Sequence, residues 1–117
     1  KNVQMSISES EYAPTFYSQM ERTISEIDAL SLNFVIDLQD VGGQMDLTIR
    51  VECDNPEQHE AEAHQLEDLL AERIEPIGGG REKGFFRHYA VELVPLGALP
   101  RNPITGKIKK VVDHRVL

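Results

Sequence analysis

One cysteine, few basic residues and no long apolar run are the first things this chain leaves out. With Cys53 alone no internal disulfide can form, which favours a reducing compartment and a cytoplasmic setting. No apolar stretch approaches the roughly 20 residues that span a bilayer, so no membrane segment is expected, and no signal peptide is visible. Lysine and arginine total 12 against 20 aspartates and glutamates, a net charge of −8 that argues against unaided nucleic-acid binding, which needs a basic footprint. Internal repeats and low-complexity segments are also missing. Lys1 is not a natural start, so the chain reads as a piece of something longer.

What is present suits one globular domain over residues 1–117. At 40% apolar and 27% charged, the chain can build a core without metals or disulfides. Charge is unevenly spread. The acidic excess runs from Glu52 to Glu75, whereas Arg101, Lys107, Lys109, Lys110 and Arg115 lie late. One end of the sequence can therefore meet an anion although the whole is acidic.

Alternation at Val3, Met5 and Ile7 predicts a short strand. Ser8 and Glu11 fit a capping box, but Pro14 forbids a helix running through it and instead suits a first helical position. Phe16, Tyr17, Met20, Ile24 and Ile27 then recur at helical spacing. Leu32, Phe34, Ile36 and Leu38 read as a buried strand, and Asp40-Val41-Gly42-Gly43 as a hairpin turn. Met45, Leu47, Ile49 and Val51 alternate with Asp46, Thr48, Arg50 and Glu52, which predicts one core face and one wet face. Asn55, Pro56 and Gln58 suggest a capped helix start, with a stripe of Ala63, Leu66, Leu69, Leu70, Ile74 and Ile77. That helix should reach about Glu75 and be stopped by Gly78-Gly79-Gly80. Tyr89, Val91 and Leu93 read as a further strand. Pro95 and Pro100 bound an irregular loop, and Ile108 to Leu117 is a short terminal element. The order is βαββαβ: an α+β, ferredoxin-like domain with one antiparallel sheet and both helices on one face.

Most candidate chemistry dissolves on inspection. His59 and His64 flank Glu60 and Glu62, but they are five apart, and a zinc helix needs histidines four apart on one face. Cys53 has no paired cysteine and no neighbouring activator. Gly78-Gly79-Gly80-Arg81 follows a helix, whereas anion-binding loops precede one. The loop from Leu99 to Lys110 differs. Pro100 and Pro103 fix φ, Gly106 allows a tight turn, and Lys107 is then a long cation beside a residue without side-chain bulk.

Leu99-Pro100-Arg101-Asn102-Pro103-Ile104-Thr105-Gly106-Lys107-Ile108 resembles the last core motif of the adenylate-forming ligases, Leu-Pro-Arg-Thr-x-x-Gly-Lys-Ile/Val. Val91-Glu92-Leu93-Val94, Gly97-Ala98-Leu99-Pro100-Arg101 and Val111-Val112-Asp113-His114-Arg115 are most similar to the phenylacetate-CoA ligase branch. Pro14 and Gln19-Met20-Glu21 resemble the opening of the first helix there. The resemblance implies the C-terminal lid domain of an AMP-forming acyl- or aryl-CoA ligase, inactive when isolated. It implies Lys107 as the catalytic lysine of adenylation, in a substrate- and nucleotide-contacting loop with Arg101, Asn102, Thr105 and Gly106. Arg81, Lys83 and Arg87 are the candidate CoA contacts. ATP/AMP, CoA and Mg2+ would serve the full-length enzyme, with none bound by this domain alone. Its partner would be the N-terminal adenylation domain of the same polypeptide, where the carboxylic acid binds; homodimerisation stays open.

Two features depart from the family pattern. Asn102-Pro103-Ile104-Thr105 is longer than in the phenylacetate branch. The hinge motif is not recognisable before Pro14, so it lies upstream of Lys1 or in a diverged stretch from Ser6 to Tyr12. The competing reading is a non-enzymatic ferredoxin-like module of the ACT type that binds a small molecule and dimerises. Fold alone does not separate the two; the motif after the last strand favours the ligase.

Overall fold

A computed structural model describes residues 13–101, 103–105 and 111–113, with no account of the side chains of 13–17 and 111–113. The expected strand at Val3–Ile7, its capping box and the hinge lie outside the described residues. Helix α1 spans Ala13–Ile24, β1 Leu30–Val41 and β2 Gln44–Cys53. A 3-10 turn at Pro56–Gln58 leads to α2 (Glu60–Arg73), α3 (Glu75–Lys83), β3 (Phe86–Pro95) and β4 (Val111–Asp113). Among the described residues, no helix is long and apolar enough to cross a membrane.

The hairpin forms as its alternation predicts. Gly42 and Gly43 both take positive φ, 61° and 88°, the two-residue turn that matches the twist of paired strands. Across it Phe34 faces Val51, Ile36 faces Ile49 and Leu38 faces Leu47. All six are fully buried, and each contributes about 1.5–3 kcal/mol of apolar burial. The same core takes Met20 and Ile24 from α1, Leu66 and Leu70 from α2, and Ile74 and Ile77 from the joint and first turn of α3.

The α+β class holds, but the sheet is mixed, in the order β3-β2-β1-β4. Among the described residues only β1 and β2 are antiparallel; β3 runs parallel to β2 and β4 parallel to β1. Alternation with period two fixes the face of a side chain, not the neighbour of a strand. The chain between β2 and β3 is a helical crossover, which returns it in the same direction. The terminal element is thus in part a strand, β4.

Helix termini also differ from expectation. The second helix is two. Pro76 would clash with a carbonyl one turn back, so α2 ends at Arg73, extended Ile74 makes the joint, and proline sits in the first turn of α3. Asn55 does not cap α2. It adopts the left-handed conformation at φ 57° and ψ 64° and makes no side-chain cap bond. The triglycine does not stop a helix either; it lies inside α3, whose end is Gly84 at φ 76°. A Cβ at Gly78 would sit 2.1 Å from the Ala71 carbonyl oxygen, and one at Gly80 2.6 Å from the Phe86 ring. Absent side chains let α3 pack directly against α2 and β3.

Candidate functional site

By alternation Glu52 belongs to the wet face of β2, yet it is only 1% exposed. The loop after β3 covers it. Pro95, the last residue of β3, pairs with Cys53, so the chain leaves the sheet beside Glu52. A turn follows at once: the Ala98 N–H donates to the Pro95 carbonyl at 3.0 Å, with Gly97 at φ 86° supplying the positive φ of a type II turn. Leu99 is then buried, and its N–H donates to Glu52 Oε2 at 3.0 Å. Arg101 Nη2 donates to Glu52 Oε1 at 3.1 Å, while its Nη1 donates to the Leu99 carbonyl at 2.9 Å.

The opposite side of the carboxylate is held by β1. The hairpin register slips between Leu30 and Phe34, leaving a bulge. There Ser31 Oγ donates to the Glu52 carbonyl at 2.7 Å and the Asn33 N–H donates to Ser31 Oγ at 3.2 Å. Asn33 Nδ2 donates to Glu52 Oε1 at 3.2 Å. Burial pushes the Glu52 carboxyl pKa upward, but donors from Arg101, Leu99 and Gly97 outweigh it and hold the value at about 2. The carboxylate is therefore charged at any physiological pH.

Of the residues expected in the substrate loop, Arg101 is engaged with Glu52, and Thr105 is exposed. Asn102, Gly106 and Lys107 lie outside the described residues. The three candidate CoA contacts are not brought together. Arg81 bonds to Asp68 at 3.2 Å and lies over the Tyr89 ring at 5.5 Å. It shares a surface depression with Lys83, Gly78 and Gly79. Arg87 instead bonds to Asp46, at 2.9 Å for Nε, on the face of β2 turned away from the helices. His59 and His64 each face their own glutamate, Glu62 and Glu67, at 3.5 Å. Among the described residues no three His, Cys, Asp or Glu side chains group to hold a metal ion. Cys53 is buried in the core, and burial pushes its thiol pKa up, away from thiolate chemistry.

Sequence reasoning missed Glu52, Ser31 and Asn33. No local signal marks them, since Glu52 and Arg101 are 49 residues apart.

A family model described as "AMP-binding enzyme C-terminal domain" matches residues 14–115. No curated protein is similar enough to count as a match. Among solved structures, a domain of phenylacetate-coenzyme A ligase from Bacteroides vulgatus ATCC 8482 superposes with a TM-score of 0.56 at 20% identity. That match covers 86% of this chain and 85% of that one, and shows a shared fold. The metal-bound C-terminal domain of the CzcD transporter from Thermotoga maritima gives 0.49 at 12% identity, over 78% and 99% of the two chains. A 2-hydroxyisobutyryl-CoA ligase in the postadenylation state, in complex with R3-HIB-AMP, gives 0.43 at 22% identity, over 84% of this chain and 19% of that one. The last two overlaps are too weak to argue from.

Proposed function

The chain belongs to the family of AMP-binding enzyme C-terminal domains, and from that membership we propose that it is the moving lid of an ATP-dependent, AMP-forming acyl- or aryl-CoA ligase. The observation that carries this reading is the family match together with the loop fixed on Glu52. The adenylation motif begins at Leu99, and Leu99 and Arg101 are both held by that carboxylate. Lys107 follows Arg101 by six residues and precedes Val111 by four. Six residues span at most about 20 Å, so the lysine stays within reach of one end of the sheet.

In the closed complex the Lys107 ammonium would lie between the substrate carboxylate and the α-phosphate of ATP. A cation there offsets the repulsion of two anions as the carboxylate oxygen attacks phosphorus and pyrophosphate leaves. Carrying the lysine on a separate domain allows it to be withdrawn before the thiol of CoA attacks the acyl carbonyl and AMP departs. Magnesium would accompany ATP in the N-terminal domain. Of the CoA contacts, Arg81 and Lys83 stay part of the proposal as neighbours in one surface depression and Arg87 as a separate surface cation.

The test is Lys107→Ala in the full-length protein. Acyl-adenylate formation should fall by about 10²–10³-fold, in the range lost with one transition-state donor. Thioester formation from a supplied acyl-adenylate should continue. Equal loss of both half-reactions, or loss of neither, would overturn the assignment.

A further inference from the structure

We infer that Glu52 is a positioning residue for adenylation, holding the loop that carries Lys107 at a fixed place on the sheet. The inference rests on the lysine reading above and adds to it the residue that aims the lysine.

The geometry has three parts. First, the loop side offers the carboxylate one backbone N–H group, from Leu99, and one guanidinium, from Arg101, which also bonds back to the Leu99 carbonyl. These fix the backbone over residues 99 to 101, just where the motif starts. Second, the sheet side keeps the carboxylate from turning. Glu52 sits on a strand paired on both sides, and Asn33 in the β1 bulge donates to the same oxygen that Arg101 uses. Third, Glu52 is 1% exposed. A charge at that depth is costly unless every oxygen finds a donor; Asn33 supplies one to Oε1, and Oε2 has its donor from the loop, at Leu99. The loop and the carboxylate thus require each other: only with Leu99 and Arg101 docked do both oxygens have their donors. Charge-assisted bonds of this kind are also the strong and directional ones.

The functional consequence is placement. A displacement of about 1 Å at a reacting group can cost about 10²-fold in rate. Loosening residues 99–101 releases one of the two fixed points that flank the lysine; the other is β4, paired from Val111 to Asp113 with Ile36 to Leu38 of β1. Glu52 touches no substrate in this scheme. It acts through the loop.

The experiment uses full-length Glu52→Gln, which keeps the volume but replaces one acceptor oxygen with a donor. Adenylation kcat should fall about 10- to 100-fold with the KM for ATP little changed. Thioester formation from supplied acyl-adenylate should stay within about threefold, because the lysine is withdrawn in that step. Hydrogen exchange should speed up at the Leu99 amide and stay slow at Ile36 and Ile49. Should Glu52→Gln unfold the sheet, Asn33→Ala decides, with a smaller loss of adenylation alone expected. Equal loss of both half-reactions would overturn the inference in favour of a purely structural role. Unchanged adenylation in Glu52→Gln, with Lys107→Ala inactive, would overturn it and leave the lysine reading standing. Normal adenylation in Lys107→Ala would overturn both.

Discussion

The two ends of β2 each carry an acidic side chain bonded to a distant arginine, and they do different work. At the hairpin end Asp46, 17% exposed, binds Arg87, 52% exposed. At the other end Glu52, 1% exposed, binds Arg101, 34% exposed, and accepts from the Leu99 backbone as well. The hairpin end is held by apolar contact: Met45 pairs with Phe86, and the Phe86 ring lies against Gly80 of α3. The far end is closed by a satisfied charge instead. A pair whose arginine stands half in water adds little because water competes for the guanidinium. A buried carboxylate that has lost its donors leaves a desolvated charge, so the same pair of residue types becomes a clasp.

The largest break in this contrast should come from truncating the two acids in turn. Glu52→Ala strips the Leu99 amide, Arg101 and Asn33 of their acceptor and should destabilise the domain by roughly 3 kcal/mol, the upper range for lost buried hydrogen bonds. Asp46→Ala should leave the urea midpoint unchanged within error. Equal shifts for the two variants would dissolve the comparison.

Next in size is the glycine contact at the hairpin end. Gly80→Ala forces the Phe86 ring aside and should cost roughly 1–2 kcal/mol. Gly79→Ala meets nothing within 4 Å and should raise stability by about 0.5–1 kcal/mol, since alanine is the better helix former. Thermal melts of the two variants should therefore shift in opposite directions.

The most gradual effect is the response to acid, because Glu52 takes up its proton over the whole window between its unfolded and folded values. The folded Glu52 pKa of about 2 lies below the ordinary value of 4.5. The stability it contributes is thus full above pH 4.5 and is lost as pH falls toward about 2. Denaturant midpoints followed from about pH 6 to about pH 2 should fall less steeply in Glu52→Gln than in the parent within that window.

Much of the fold is legible in the residue pattern. The β1–β2 hairpin follows from strict alternation and Gly42-Gly43, and α1 follows from Pro14 and the spacing of Met20 and Ile24. Three expectations fail for one reason: a local pattern says nothing of the distant segment that will lie against it. Gly78-Gly79-Gly80 has the composition of a helix stop, but close approach to Ala71 and Phe86 makes it an interior packing segment. Tyr89–Val94 has the pattern of a strand with no preferred partner, and the crossover sets it parallel to β2. Glu52 alternates with Val51 and so reads as wet; the loop that hides it comes from 47 to 49 residues further on. As for the site, the motif from Leu99 to Lys107 stands out in the chain, whereas what holds it does not.

Short-range order in this protein follows from neighbours along the chain, because turns, caps and amphipathic faces depend on residues within a few positions of one another. The α+β class, the hairpin and the lysine motif belong to that level. Strand neighbours, the use of three glycines inside a helix, and a carboxylate kept charged in the interior belong to the folded level. Each depends on which distant segments come to lie together, and the burial of Glu52 becomes favourable only once Leu99 and Arg101 have arrived.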